Sequence, residues 1–224
     1  MTTRVHYESG SGRAVEGELA LPPGDGKAPA LILVQEWWGL NDHIRAYAER
    51  YAAEGFLTLA VDLYDGTTTS DRDEAAHRMN GLDWGAALDH IAGAIAHLKA
   101  HARSNGKVGI TGFCMGGAVT LSAASNLGGL SAAVPFYGVP SSFDASRVEA
   151  PILGHVARRD TWVTPAVAEK LAADLRAAHK HVEIELYDAD HAFMNMARPE
   201  VYDAACANTA WTKTVVFLRQ HLRA

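Results

Sequence analysis

From residue 30 to residue 187 the chain repeats one pattern, a short apolar run followed by a stretch with helical spacing. The runs cover residues 30–35, 57–62, 107–111, 132–137 and 152–157, and most are apolar throughout rather than alternating. A strand that is apolar on both faces must be covered on both, which is the situation of parallel strands flanked by helices. A sixth run, 182–187, alternates Val182, Ile184 and Leu186 with Glu183 and Glu185, which predicts a half-exposed strand near a sheet edge. Four stripes supply helices: Ile44, Ala48 and Tyr51; Trp84, Leu88, Ile91, Ile95 and Leu98; Val167, Leu171 and Leu175; and Trp211, Val215, Leu218 and Leu222. The third stripe is opened by Thr164 as N-cap, with Pro165 at the first helical position. Near the N-terminus, Val5-His6-Tyr7 and residues 15–21 flank Ser9-Gly10-Ser11-Gly12 as a hairpin, and Pro22-Pro23-Gly24 ends it. The predicted fold class is therefore α/β. One domain over residues 1–224 carries a mostly parallel sheet with helices on both faces and an N-terminal antiparallel hairpin.

Composition removes several function classes. Lys plus Arg is 20 against 26 for Asp plus Glu, a net charge of −6 without the basic stripe of a nucleic-acid binder. Two cysteines, Cys114 and Cys206, are too few for a disulfide scaffold or a Cys-rich zinc site. The apolar runs are too short for a bilayer span, and Met1–His6 lacks a charged-then-apolar leader pattern. A cytoplasmic protein is expected, monomeric or a small homo-oligomer, with no nucleic-acid or membrane partner. His90, His97 and His101 share one helix face with no carboxylate pattern to complete a ligand set. They read as a solvated face, so no metal is expected. Cys206, within Ala204-Ala205-Cys206-Ala207, reads as a packed helix residue.

The remaining thiol sits in the segment that carries chemistry. From Lys107 a strand runs through Gly112-Phe113-Cys114-Met115-Gly116-Gly117 into a helix over 115–125. Gly112 and Gly116 flank Cys114 symmetrically, which is the G-x-S-x-G nucleophile elbow with cysteine in the serine position. Side chains at the flanking positions would collide with the strand and helix closing around the turn. The helix N-terminus behind the sulfur favours negative charge there. Such an elbow needs an acid and then a histidine downstream. Asp160 follows run 152–157, and His191 follows run 182–187, so both fall just past carboxyl ends of strands, where open α/β sheets gather active-site groups. The chemical division of labour is Asp160 orienting the imidazole and His191 moving the proton. The oxyanion would be held by the backbone N–H groups of Met115, after the nucleophile, and of Trp37, after the third strand.

These segments, together with Val34-Gln35-Glu36-Trp37-Trp38-Gly39, Asp62-Leu63-Tyr64, Phe136-Tyr137-Gly138 and His191-Ala192-Phe193, resemble the dienelactone hydrolases of the α/β-hydrolase fold over nearly the whole chain. The resemblance implies a cofactor-independent cysteine hydrolase of small-molecule esters or lactones with the triad Cys114, Asp160 and His191. It also implies that Glu36 helps to deprotonate the thiol when substrate binds. It makes Tyr64, Arg72, Tyr137, Phe193 and Asn195 the substrate-binding candidates. The chain departs from the best-known members where they hold a substrate carboxylate with two arginines. Arg72 or Arg78 stands for one, but Asn195 occupies the other position and Arg198 is out of register. Two alternatives follow. One is a general carboxylesterase with a rebuilt pocket, and the other is a non-catalytic thiol redox sensor or ligand-binding protein on the same fold.

Overall fold

The structure, a computed structural model, describes residues 1–223. Its strands are β1 (Thr2–Glu8), β2 (Ala14–Ala20), β3 (Ala28–Val34), β4 (Leu57–Val61), β5 (Ser104–Phe113), β6 (Ala132–Phe136), β7 (Ile152–Ala157) and β8 (Val182–Tyr187). They form one sheet in the order β1-β2-β4-β3-β5-β6-β7-β8. The hairpin β1–β2 is antiparallel and joins β4 antiparallel, while β4 to β8 are mutually parallel. Strand β8 closes one edge with its side chains half-buried, as its alternation predicts.

The helices are α1 (Asp42–Ala53), α2 (Arg72–Asn80), α3 (Trp84–Ala100), α4 (Met115–Asn126), α5 (Pro165–Ala177) and α6 (Ala204–His221). They explain why the central strands are apolar on both faces. Leu31 and Leu33 of β3 join Tyr47, Tyr51 and Leu218 from α1 and α6 on one side. Ile32 and Val34 join Ile91, Ile95, Val119 and Leu171 from α3, α4 and α5 on the other. Each such side chain contributes about 1.5–3 kcal/mol by leaving water. Thr164 caps α5 through its hydroxyl, with Pro165 in the first turn. Among the described residues no helix is long and apolar enough to cross a membrane.

Two stripe residues and one helix face differ from the sequence expectation. Val167 and Trp84 head their stripes but stay partly exposed, each lying in the first turn of its helix. The histidine face of α3 is not solvated. His90 is 2% exposed, and the Tyr7 ring of β1 lies 5.5 Å from its ring and 5.3 Å from that of His97. Gly93 lets the hairpin come this close, since a Cβ there would lie 2.1 Å from the Glu8 carbonyl oxygen. Burial holds both histidines below the usual pKa, consistent with neutral rings that pack.

Candidate active site

Strand β3 is followed in sequence by its neighbour on one side, β4, and only later by its neighbour on the other, β5. This reversal opens a crevice at the carboxyl ends of β3 and β5. Gly112 of β5 pairs with Val34 of β3, and Phe113 with Phe136 of β6, so the residues that follow emerge at one level. Cys114 is the first of these. It has φ 55° and ψ −116°, a region that L-residues rarely occupy, and it stands at the N-cap of α4. The neighbouring glycines enforce the turn. A Cβ on Gly112 would lie 2.3 Å from the Gly116 carbonyl oxygen, and one on Gly116 would lie 2.4 Å from that of Val34. The first turn of α4 presents N–H groups without intrahelical acceptors beside the sulfur.

The candidate acid and base come from the far half of the sheet. Ala157 of β7 pairs with Tyr187 of β8, which brings the two following loops together. Asp160 is buried, and its Oδ1 accepts from the backbone N–H groups of Trp162 and Val163 at 2.8 and 3.0 Å. Its other oxygen, Oδ2, lies 2.7 Å from His191 Nδ1. With both Asp160 oxygens so engaged, the imidazole is fixed in orientation, and its Nε2 is left buried without a hydrogen-bond partner. Burial alone would lower the His191 pKa. The Asp160 carboxylate and the neighbouring Cys114 side chain outweigh it and push the value up to about 10. Asp190, next to His191, instead faces Arg159 at the surface, together with Asp188.

Glu36 is not the solvated strand-end carboxylate that residue type alone suggests. It is 2% exposed. One oxygen accepts from the Asn195 amide, whose own oxygen is occupied by the Ala197 N–H, and the other has no partner. Burial raises its pKa to about 7, against the opposing pull of His191, Asn195 and Arg198.

Cys114 and His191 line two cavities. A cavity of about 150 Å³ is lined by Glu36, Trp37, Arg72, Cys114, His191 and Arg198, among others. The two arginines therefore share a cavity wall despite the register difference in sequence. Arg198 also lies over the Trp38 ring, 5.6 Å from its centroid, and bonds Glu200. Arg78 is directed away, paired with Glu74. A larger cavity, about 340 Å³, runs the other way past Tyr137, Met79, Trp84 and Trp162.

The substrate-binding candidates separate accordingly. Arg72 and Tyr137 line the cavities. Asn195 lines a further pocket with Arg72 and Arg198 while holding Glu36. Tyr64 supports the floor, its hydroxyl donating to Met115 Sδ at 3.1 Å. Phe193 is fully buried between Tyr137 and Tyr187, so its role is packing, because the reversed turn at Ala192 (φ 66°) aims its side chain into the core. Trp84, Met79 and Trp162 were the residues that sequence reasoning missed. The only available signal was that a tryptophan beginning a helix has little sheet beneath it. Cys206 is half-buried against the α6 core, as expected.

A family model described as the dienelactone hydrolase family matches residues 15–222. "Protein usf" of Aquifex pyrophilus is 34% identical over 99% of this chain and 100% of its own length. "Carboxymethylenebutenolidase 1" of Cupriavidus pinatubonensis is 28% identical over 96% of this chain and 95% of its own. A solved structure named m3DLH superposes with a TM-score of 0.90 at 25% identity, covering 100% of this chain and 99% of that one.

Proposed function

The chain belongs to the dienelactone hydrolase family and is an ester-type hydrolase, and from that premise we propose that it is a single-domain cysteine hydrolase of small-molecule esters or lactones using Cys114, His191 and Asp160. The observation that carries this reading is the His191 ring, held at Nδ1 by a buried carboxylate while Nε2 stays free in the cavity it shares with Cys114.

The thiol proton of Cys114 passes to the free oxygen of ionised Glu36 as Sγ bonds to the carbonyl carbon, with His191 already protonated beside the sulfur. The oxyanion is held by the Met115 and Trp37 N–H groups. When the tetrahedral adduct collapses, the C–O bond breaks and the leaving oxygen takes the proton from His191, giving a thioester. Water then attacks the thioester carbonyl, yielding its proton to His191 Nε2, and the departing sulfur recovers its proton from Glu36. Glu36, with one free oxygen in the same cavity, is thus the base for the thiol. Its near-neutral pKa suits that task, since a base titrating near the working pH can both take and release a proton. Arg72 and Arg198 supply positive charge beside the thiol and would hold an anionic group of the substrate. Asn195, at the position where the best-known members carry the second arginine, supports the second reading, a carboxylesterase that also accepts neutral esters.

The test is mass spectrometry of the protein after brief incubation with a panel of lactones and activated esters. An acyl mass on the peptide containing Cys114, absent from Cys114→Ala, is expected. Turnover that survives Cys114→Ala would refute the nucleophile. Rates for matched anionic and neutral esters separate the two substrate readings.

A further inference from the structure

The larger cavity holds a feature that the ester chemistry does not use. Among the described residues few large apolar side chains are exposed, yet two of them, Trp84 (39%) and Trp162 (52%), meet in this one cleft beside Cys114 and His191. Trp84 is placed by its backbone position and Trp162 by contacts of its ring. Trp84 starts α3 directly behind the Asp83 cap. Trp162 stands edge-on to Trp37 with ring centroids 5.3 Å apart, and it lies 5.3 Å from His191. Met79 of α2 lies across from them, and Val139 and Pro140 complete an apolar wall, with Asn80 and Ser141 as the polar residues of its rim. Apolar surface of this kind, concave and partly wetted, gains free energy when a matching group displaces the water. Its volume of about 340 Å³ is large enough for a ligand. Arg72 and Arg198 lie in the other cavity, which leaves this arm free of arginine and lysine.

We propose that the arm lined by Met79, Trp84 and Trp162 is a subsite for a flat apolar group, so that the substrate is an ester or lactone bearing an aromatic or extended apolar substituent on one side of the reacting carbonyl. This rests on the reading of Cys114 as the nucleophile. Trp162 borders both cavities, so it separates the apolar arm from the cationic one and sets which substituent enters each.

Two substrate series test the assignment. One is 4-nitrophenyl esters of acetic, phenylacetic and 4-phenylbutyric acid, with a constant leaving group. The other is the acetates of phenol, 4-phenylphenol and 2-naphthol, whose leaving groups are of similar acidity, with a constant acyl group. In one series kcat/KM is expected to climb by about tenfold or more with apolar size, as pocket contacts worth a methylene or two allow. Trp84→Ala should flatten that climb through KM, and Trp84→Phe should restore most of it. Circular dichroism of both variants checks that α3 still forms. Two results would overturn the subsite: a flat dependence in both series despite Cys114-dependent turnover, or a climb unchanged in both Trp84→Ala and Trp162→Ala. Loss of the underlying reading has a different signature, since Cys114→Ala would then hydrolyse the acetates as fast as the wild type.

Discussion

Glu36 should weaken the fold that houses it, and the effect can be worked from its surroundings. Its carboxyl is fully enclosed and keeps its proton up to about pH 7, against 4.5 for the ordinary side chain. A carboxyl whose folded pKa is raised binds protons more tightly folded than unfolded, so stability falls as pH rises from the unfolded value to the folded one and is level above it. At about 1.4 kcal/mol for each tenfold change in proton affinity, the folded state loses about 3 kcal/mol by pH 8.5, and less than about 1 kcal/mol by pH 5. Glu36→Gln cannot ionise, and its amide oxygen can still accept from Asn195. The variant should therefore gain about 2–3 kcal/mol over wild type between pH 5 and pH 8.5, equivalent to a Tm difference of about 5–10 °C for a chain of this size. Urea unfolding of both proteins at the two pH values measures this directly, and every titration they share cancels in the comparison. A stability difference that does not change with pH would show that Glu36 is ionised in a solvated or well-paired environment, and the proposed role as a near-neutral base would go with it.

Asp160→Asn keeps the shape of the loop but removes the charge that orients His191, and kcat on a good ester should fall by about 10³–10⁴-fold; a loss under tenfold would mean that the Nδ1 contact does not serve turnover. In the resting protein the His191 ring should titrate near pH 10 by NMR, and its interaction with Asp160 should support folding fully below about pH 6.5 and fade as pH rises through that higher value. A His191 midpoint near 6.5 would contradict this. Replacing Arg72 or Arg198 by Met should raise KM for an anionic ester about tenfold while a neutral ester of the same size responds little; equal effects on both would argue against an anion subsite. A Cβ at Gly138 would stand 2.0 Å from the Cys114 carbonyl oxygen and 2.5 Å from the Ala118 nitrogen. Gly138→Ala should therefore cost roughly 3 kcal/mol in urea unfolding, whereas Gly128→Ala, with open space around it, should be close to neutral.

The fold was legible because β3 to β7 are short and apolar on both sides, a requirement that only a sheet covered on two faces satisfies. The order of Cys114, Asp160 and His191 was legible for a related reason: each lies just beyond an apolar run, and parallel strands bring such positions to one edge whatever the loops contain. What depended on neighbours from other elements was not legible. Glu36 carries no sign in its own sequence that Asn195, far along the chain, would enclose it. His90 and His97 look like a polar face until Tyr7 is placed on top of them, because the hairpin that covers α3 is distant in sequence. Arg198 fails a register comparison yet reaches the cavity of Arg72, since a loop residue is set by the path of its turn and not by its count from His191. Phe193 shows the converse. It sits two residues after His191 in sequence, but its side chain is buried in the core behind the positive φ of Ala192.

The least favourable local conformations gather where the chemistry is proposed. Cys114 has φ 55°, Tyr137 has φ 37° and Ala192 has φ 66°, and each follows a strand or lies in the loop beyond one. Residues held in such regions cost of order 1–3 kcal/mol each, and the buried Glu36 adds a comparable penalty at neutral pH. The strands behind them are the most deeply buried in the molecule, with Leu31 to Val34, Val134 and Ile152 fully enclosed. That core makes the arrangement stable enough to persist, and the close fit of Gly112, Gly116, Gly117 and Gly138 around the elbow denies it an easier alternative. Relaxing any of these positions would strengthen the fold, yet it would withdraw the sulfur from the crevice or turn His191 away from it. Stability and activity should therefore oppose each other at Glu36, and at the strained residues wherever a glycine can replace them. At the elbow glycines they should fall together, because there a side chain displaces the backbone that carries the proposed nucleophile.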